Sequence, residues 1–248
     1  MRKIWILGLA GILALVFSAA IWAAPYDEVL KRWQKTREFA DIGDEIKITA
    51  TYFSAEYIEA LVQKEADDNL WTADELEMHK YQLLKTLNLD ETIPVRLEFV
   101  VRGSSVHMSP FGEQVWLWVG GKRYKPVEFD PRFNFKISDK REGMVYFPRF
   151  DEKTGKDLLA GSKSVKLELS GGISHAIRAM AVDFIWDVVH DDPERLFAGQ
   201  SGARLEMDRL IKRLARLNQE KDECEQKLNE LDSEIATIEA RMKELQVQ

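Results

Sequence analysis

The chain has 248 residues, 45% of them hydrophobic and 31% charged, with a formal net charge of −7. That length holds one sizeable domain with an appendage, or two small domains; the mixture is too apolar for a disordered chain and too charged for a multi-span membrane protein. No net basic field exists to displace counterions from phosphates, so general nucleic-acid binding is not expected. One cysteine excludes an internal disulfide and any zinc site built on paired cysteines.

Met1-Arg2-Lys3 is a short basic start, and Ile4 to Ala24 follows without a charged residue. This pattern predicts export: the basic end stays on the cytoplasmic side while the apolar run enters the translocation machinery. The run exceeds the usual signal-peptide core and just reaches the roughly 20 residues that span a bilayer. Segment 1–24 is therefore read as a signal peptide or an uncleaved N-terminal membrane anchor. Small residues suited to cleavage stand at Ser18-Ala19-Ala20 and Ala23-Ala24, although Pro25 disfavours cutting directly after Ala24. Either outcome places the remainder in the periplasm or on the outer face of the membrane. Loss of Arg2 and Lys3 would take the net charge from −7 to −9.

Residues 25–199 form the expected body. Pro25 to Ile42 reads as one amphipathic helix, with Tyr26, Leu30 and Trp33 on a stripe and Gly43 ending it. Glu45 to Tyr52 alternates with period two, as a half-buried strand does. Ser54 is a candidate N-cap for a helix carrying Tyr57, Ile58, Leu61 and Val62. Thr72-Ala73-Asp74-Glu75 matches a capping box opening a second helix with Leu76, Leu83 and Leu87 on its inner stripe. Together they predict a helical insertion over about 54–88.

From Pro94 onward the chain reads as strands. Val95, Leu97, Phe99 and Val101 alternate with Arg96, Glu98 and Arg102. Val115–Val119, Gly120-Gly121 and Lys122–Tyr124 predict a hairpin whose glycines supply positive φ. Further strands are expected at Met144–Phe147, Val165–Leu169 and Met180–Val188, the last with Met180, Val182, Phe184, Trp186 and Val188 on one face. The strand Val115–Val119 is apolar on both faces, and the helical pair is the expected cover for its second face. The fold expectation is α+β: an antiparallel, immunoglobulin-like β-sandwich with an inserted helical hairpin, followed by a long coiled-coil helix over 200–248.

That last segment is the strongest signal. The a and d positions read Met207, Leu210, Leu214, Leu217, Lys221, Cys224, Leu228, Leu231, Ile235, Ile238, Met242 and Leu245. Eleven of the twelve are apolar or cysteine, and the spacing alternates three and four without a slip. The run is about 58 Å long at 1.5 Å per residue. Basic residues concentrate between Arg204 and Arg216 and acidic ones between Glu220 and Glu239. The expected partner is a second copy in antiparallel orientation, or another coiled-coil protein. In a parallel pair two Cys224 thiols would meet across the seam.

Candidate chemistry is sparse. Asp187, His190, Asp191, Asp192 and Glu194 gather oxygen ligands and an imidazole near a strand end, which could hold a hard cation but reads more simply as a solvated terminus. Asp151 to Asp157 reads as a hairpin turn. His79 is expected to pack half-buried on its helix, and His107 and His175 fall in loops. Trp116 and Trp118 share a strand face, with Tyr124 and Phe129 expected on the next strand; exposed, the row would stack on a glycan or a peptide, and core packing is the plainer expectation. No catalytic residue, cofactor or metal site is assigned. The functional expectation is a non-enzymatic cell-envelope protein assembling or recruiting a partner through the C-terminal helix, with an extracytoplasmic glycan- or peptide-binding module as the alternative.

Overall fold

The computed structural model describes residues 25–151 and 153–246. The apolar run 4–24, and with it the signal or anchor expectation, lies outside the described residues. Among those described, no helix is long and apolar enough to cross a membrane. They fall into two compact units that divide between Leu196 and Phe197.

In the first unit, α1 (Pro25–Trp33) leads into β1 (Gln34–Asp41) and β2 (Asp44–Tyr52), then α2 (Ala55–Asn69) and α3 (Ala73–Leu87). The strands β3 (Thr92–Arg102), β4 (Val115–Val119), β5 (Lys122–Tyr124), β6 (Glu128–Phe129), β7 (Lys140–Pro148), β8 (Ser164–Ser170) and β9 (Ala181–Asp187) follow. The second unit contains α4 (Gln200–Gln246), 47 residues long. The protein is thus mixed α+β, with two antiparallel sheets and a long C-terminal helix.

One sheet has the order β1-β2-β3-β7-β6 and the other β5-β4-β8-β9. Period-two alternation explains the faces. Ile46, Ile48, Ala50 and Tyr52 of β2 and Val95, Leu97, Phe99 and Val101 of β3 are buried, and register sets Ile48 beside Phe99 and Ala50 beside Leu97. In the second sheet Val115, Leu117 and Val119 line up with Leu169, Leu167 and Val165, and Val182, Phe184 and Trp186 continue the row on β9. The Tyr52 ring lies 5.6 Å from that of Trp186, so the two apolar faces share a core. Trp186 Nε1 donates to the Trp33 carbonyl oxygen at 2.8 Å, tying the end of α1 into the same core.

The helical insertion follows its local signals. Ser54 Oγ accepts from Tyr57 N at 3.0 Å, and the Thr72–Glu75 capping box closes in both directions. Leu84 and Leu87 are buried, whereas Leu76 and Leu83 are half-buried. Leu70 and Asn88 end the helices in the left-handed region.

Three expectations fail here. The single helix over Pro25–Ile42 is wrong: the helix stops at Trp33, and Gln34–Asp41 pairs with β2 from Gln34↔Thr51 to Asp41↔Asp44. Ile42 (φ 37°) and Gly43 (φ 86°) form the two-residue turn of that hairpin, so Gly43 is a strand reversal and not a helix stop. Of the helical pair, α2 packs on α1, through Lys64–Asp27 (2.6 Å) and Arg32–Glu56 (2.9 Å), and α3 packs on α2, while the second face of β4 is covered by cations of its own sheet. Met180 precedes β9 and is 96% exposed, because the inner row begins at Val182.

Candidate functional site

Two surfaces answer to the residues singled out by sequence. The first is the seam of α4. Met207, Leu210, Leu214, Leu217, Leu228, Leu231, Ile235, Ile238, Met242 and Leu245 are exposed by 46–61% each, and Cys224 is also exposed. Fully apolar side chains at heptad spacing therefore stand in solvent along the helix. Around Lys221 the helix is braced by its own ion pairs, Arg216–Glu220 and Lys221–Glu225, each at 3.4 Å.

The second surface is the outer face of the four-stranded sheet. Because Val115, Leu117 and Val119 point into the core, Trp116 and Trp118 point outward and are half-buried. Register places Trp116 beside Glu168, and Trp118 between Arg123 and Lys166. The Arg123 guanidinium lies 5.7 Å from the Trp116 ring centre and Lys166 Nζ lies 5.0 Å from that of Trp118. Lys166 also donates to Glu168 Oε2 at 2.6 Å and to Asp183 Oδ2 at 3.3 Å. Burial works against its charge, yet these carboxylates hold the ammonium above its ordinary range. Trp118 Nε1 and Asp183 Oδ1 are buried without a hydrogen-bond partner among the described residues. An open groove of about 700 Å³ lies between the Gly120-Gly121 turn, segment 160–164, Trp118 and Lys166.

The expected aromatic row does not form. Tyr124 is paired with Leu117 and so lies on the opposite face from the tryptophans, and Phe129 belongs to the other sheet, where it meets Phe111 at 5.2 Å. Arg123, Lys166 and Asp183 carry no functional signal in the sequence. Alternation in Val165–Leu169 was enough to turn Lys166 outward, but only strand register shows that it lands on Trp118.

The acidic segment after β9 is a set of turn caps. Asp187 Oδ1 accepts from Val189 N at 3.0 Å and Asp192 Oδ1 from Glu194 N at 3.2 Å. Asp191 turns inward, accepting from the Tyr52 hydroxyl at 3.0 Å and from Ala55 N at 2.8 Å, so it bridges this segment to the β2–α2 junction. Burial pushes its carboxyl above the ordinary range, against those hydrogen bonds and the Arg149 charge. Asp151 Oδ1 likewise accepts from Lys153 N and Thr154 N, an Asx turn. His79 is half-buried, 2.6 Å from Glu65 and with its ring 4.6 Å from that of Trp71. Among the described residues no three His, Cys, Asp or Glu side chains gather as metal ligands would.

No protein-family model and no curated protein matches the chain. Among solved structures, a protein of unknown function from Burkholderia pseudomallei K96243 is similar over 72% of this chain and 87% of its own, at 12% identity and a TM-score of 0.36.

Proposed function

We propose that this is an exported, non-enzymatic cell-envelope protein whose first unit is an immunoglobulin-like sandwich and whose C-terminal helix assembles with a partner as a coiled coil. The basic start and apolar run of residues 2–24 support export, whether the segment is cleaved or retained as an anchor. Strand order supports the sandwich reading. Lettered from β2 onward, β2-β3-β7-β6 is A-B-E-D, and β4-β8-β9 is C-F-G with β5 beside C. The helical pair then interrupts the A–B connection, and β1 extends the A edge. The antibody-type cysteine pair is missing, and among the described residues the buried tryptophans are Trp33 and Trp186 in place of one on strand C.

The observation that carries the reading is the exposed α4 seam. Ten large apolar side chains at a and d positions, each about half exposed, leave the helix without a reason to persist alone in water. The test is light scattering behind size exclusion on the full chain in mild detergent, beside a Leu214→Asp/Leu228→Asp variant. The parent is expected to run as an assembly and the variant as a monomer, with the thermal transition of the sheet unit unchanged. Equal monomer masses, with no protein bound to the parent alone, would sink the reading.

The alternative, a glycan- or peptide-binding module, draws on the outward Trp116 and Trp118. Arg123 and Lys166 already cover those rings, so a sugar stacking there has to displace a cation that is held by two carboxylates in the case of Lys166. Assembly through α4 is the better supported reading.

A further inference from the structure

Apolar seams attract one another without much regard to direction, so the identity of the partner has to be sought in the positions that are not apolar. In α4 these are Lys221 at an a position, Cys224 at the following d, and the charged g and e flanks. We propose that the partner on this seam is a second copy of the chain, running antiparallel, with a two-fold axis between Asp222 and Glu223. This rests on the reading of α4 as an assembly helix and names its occupant.

In an antiparallel pair each a residue faces a d residue of the other helix. About that axis Leu217 faces the partner's Leu228, Leu214 faces the partner's Leu231, Leu210 faces the partner's Ile235, and Met207 faces the partner's Ile238. Lys221 faces the partner's Cys224. The two weak seam positions thus meet each other on either side of the axis and leave the layers beyond them apolar. Lys221 can lay its stem across the small thiol while its ammonium stays at the surface with Glu225, 3.4 Å away.

The flanks agree. At g, Glu206 meets the partner's Arg241, Arg213 meets the partner's Glu234, and Glu220 meets the partner's Lys227; symmetry repeats each attraction. At e, Glu225, Asp232 and Glu239 face the partner's Asn218, Ile211 and Arg204, so the acidic e row meets no like charge.

The alternatives are penalised by the same residues. Sliding by one heptad in one direction sets Arg213 against the partner's Arg241, Glu220 against the partner's Glu234, and Lys227 against itself. Sliding the other way sets Glu206 against the partner's Glu234, Arg213 against the partner's Lys227, and Glu220 against itself. A parallel pair opposes two Lys221 side chains within the seam and sets Glu220 on the partner's Glu225 and Glu234 on the partner's Glu239. Charges that alternate along g therefore exclude the one-heptad slides. A two-heptad slide makes the g pairs attractive again, as in Glu220 with the partner's Arg241 and Lys227 with the partner's Glu234, but it gives up a third of those pairs and two heptads of seam. The self-complementary register about the axis between Asp222 and Glu223 therefore keeps the most attractions.

The test uses full chains carrying Cys224→Ser. One carries Leu210→Cys and a second, of distinguishable mass, carries Ile235→Cys; both are oxidised mildly, separately and after exchange. The expected result is a dimer by light scattering in every sample and a covalent heterodimer only in the mixture. Residue 210 faces 235 of the partner, whereas the two copies of residue 210 are about 38 Å apart along the axis. Leu210→Cys crosslinking to itself would prove parallel pairing and overturn the proposal while leaving assembly through α4 intact. Dimers that crosslink in no sample would overturn the register, and monomers throughout would overturn both the self-partner and the assembly reading.

Discussion

In the acidic run that follows β9, the Asp191 side chain turns inward. Its two oxygens close the β2–α2 junction by accepting from the Tyr52 hydroxyl and Ala55 N. Replacing it with alanine leaves both donors without a partner in a largely buried place, and is expected to lower the unfolding free energy by about 2 kcal/mol. An asparagine in its place keeps an acceptor for Ala55 N and can donate to the Tyr52 oxygen. Because burial raises the folded-state pKa of Asp191, its contribution to stability is fully present below the unfolded value and is lost as pH rises through the folded one. Asp191→Asn should therefore match or exceed the parent at pH 7, and the difference should vanish near pH 3. Denaturant melts at the two pH values check this, and a larger advantage of the amide in acid would refute it.

At the scale of elements, the β1–β2 hairpin is the instructive case. Tyr26, Leu30 and Trp33 do form a helical stripe, but the period changes at Gln34 and the turn that follows is Ile42-Gly43. Isoleucine is poorly suited to φ 37°, and its side chain is 98% exposed, so nothing holds it there except the hairpin. Ile42→Asn supplies the Asn-Gly pair that such turns favour, and should stabilise the unit by about 1 kcal/mol. A thermal melt of that variant at or below the parent would argue against the turn geometry. The capped helices and the Gly120-Gly121 hairpin were legible because their signals lie within a few residues of one another. β1 was not, since its backbone ladder is formed with a strand that follows it.

At the scale of the molecule, the charge pattern of α4 makes a prediction that pairs residues across the assembly. Arg213→Glu alone sets a carboxylate against the partner's Glu234 twice per dimer and is expected to weaken dimerisation; adding Glu234→Arg restores the attraction with reversed sign. Each exposed pair is worth about 0.3–0.5 kcal/mol, so the single variant should raise the dissociation constant by a few fold and the double variant should return it close to the parent. Sedimentation at low and high salt measures this, with the three proteins converging as screening increases. A double variant no tighter than the single would break the proposed pairing.

Sequence alone determined what depends on local periodicity and local hydrogen bonds: the capped helices 55–69 and 73–87, the two-faced strands, the glycine hairpin and the heptads of the last helix. It also placed Trp116 and Trp118 on one face of a strand. Which face that is, and that Arg123 and Lys166 lie over the two rings, was decided by strand register between segments far apart in the chain. The same holds for the Tyr52–Asp191 bridge and for Trp186 closing over Trp33. A side chain's own neighbours set its period, but the partner it meets depends on loop closures and strand pairings that no short stretch of sequence encodes.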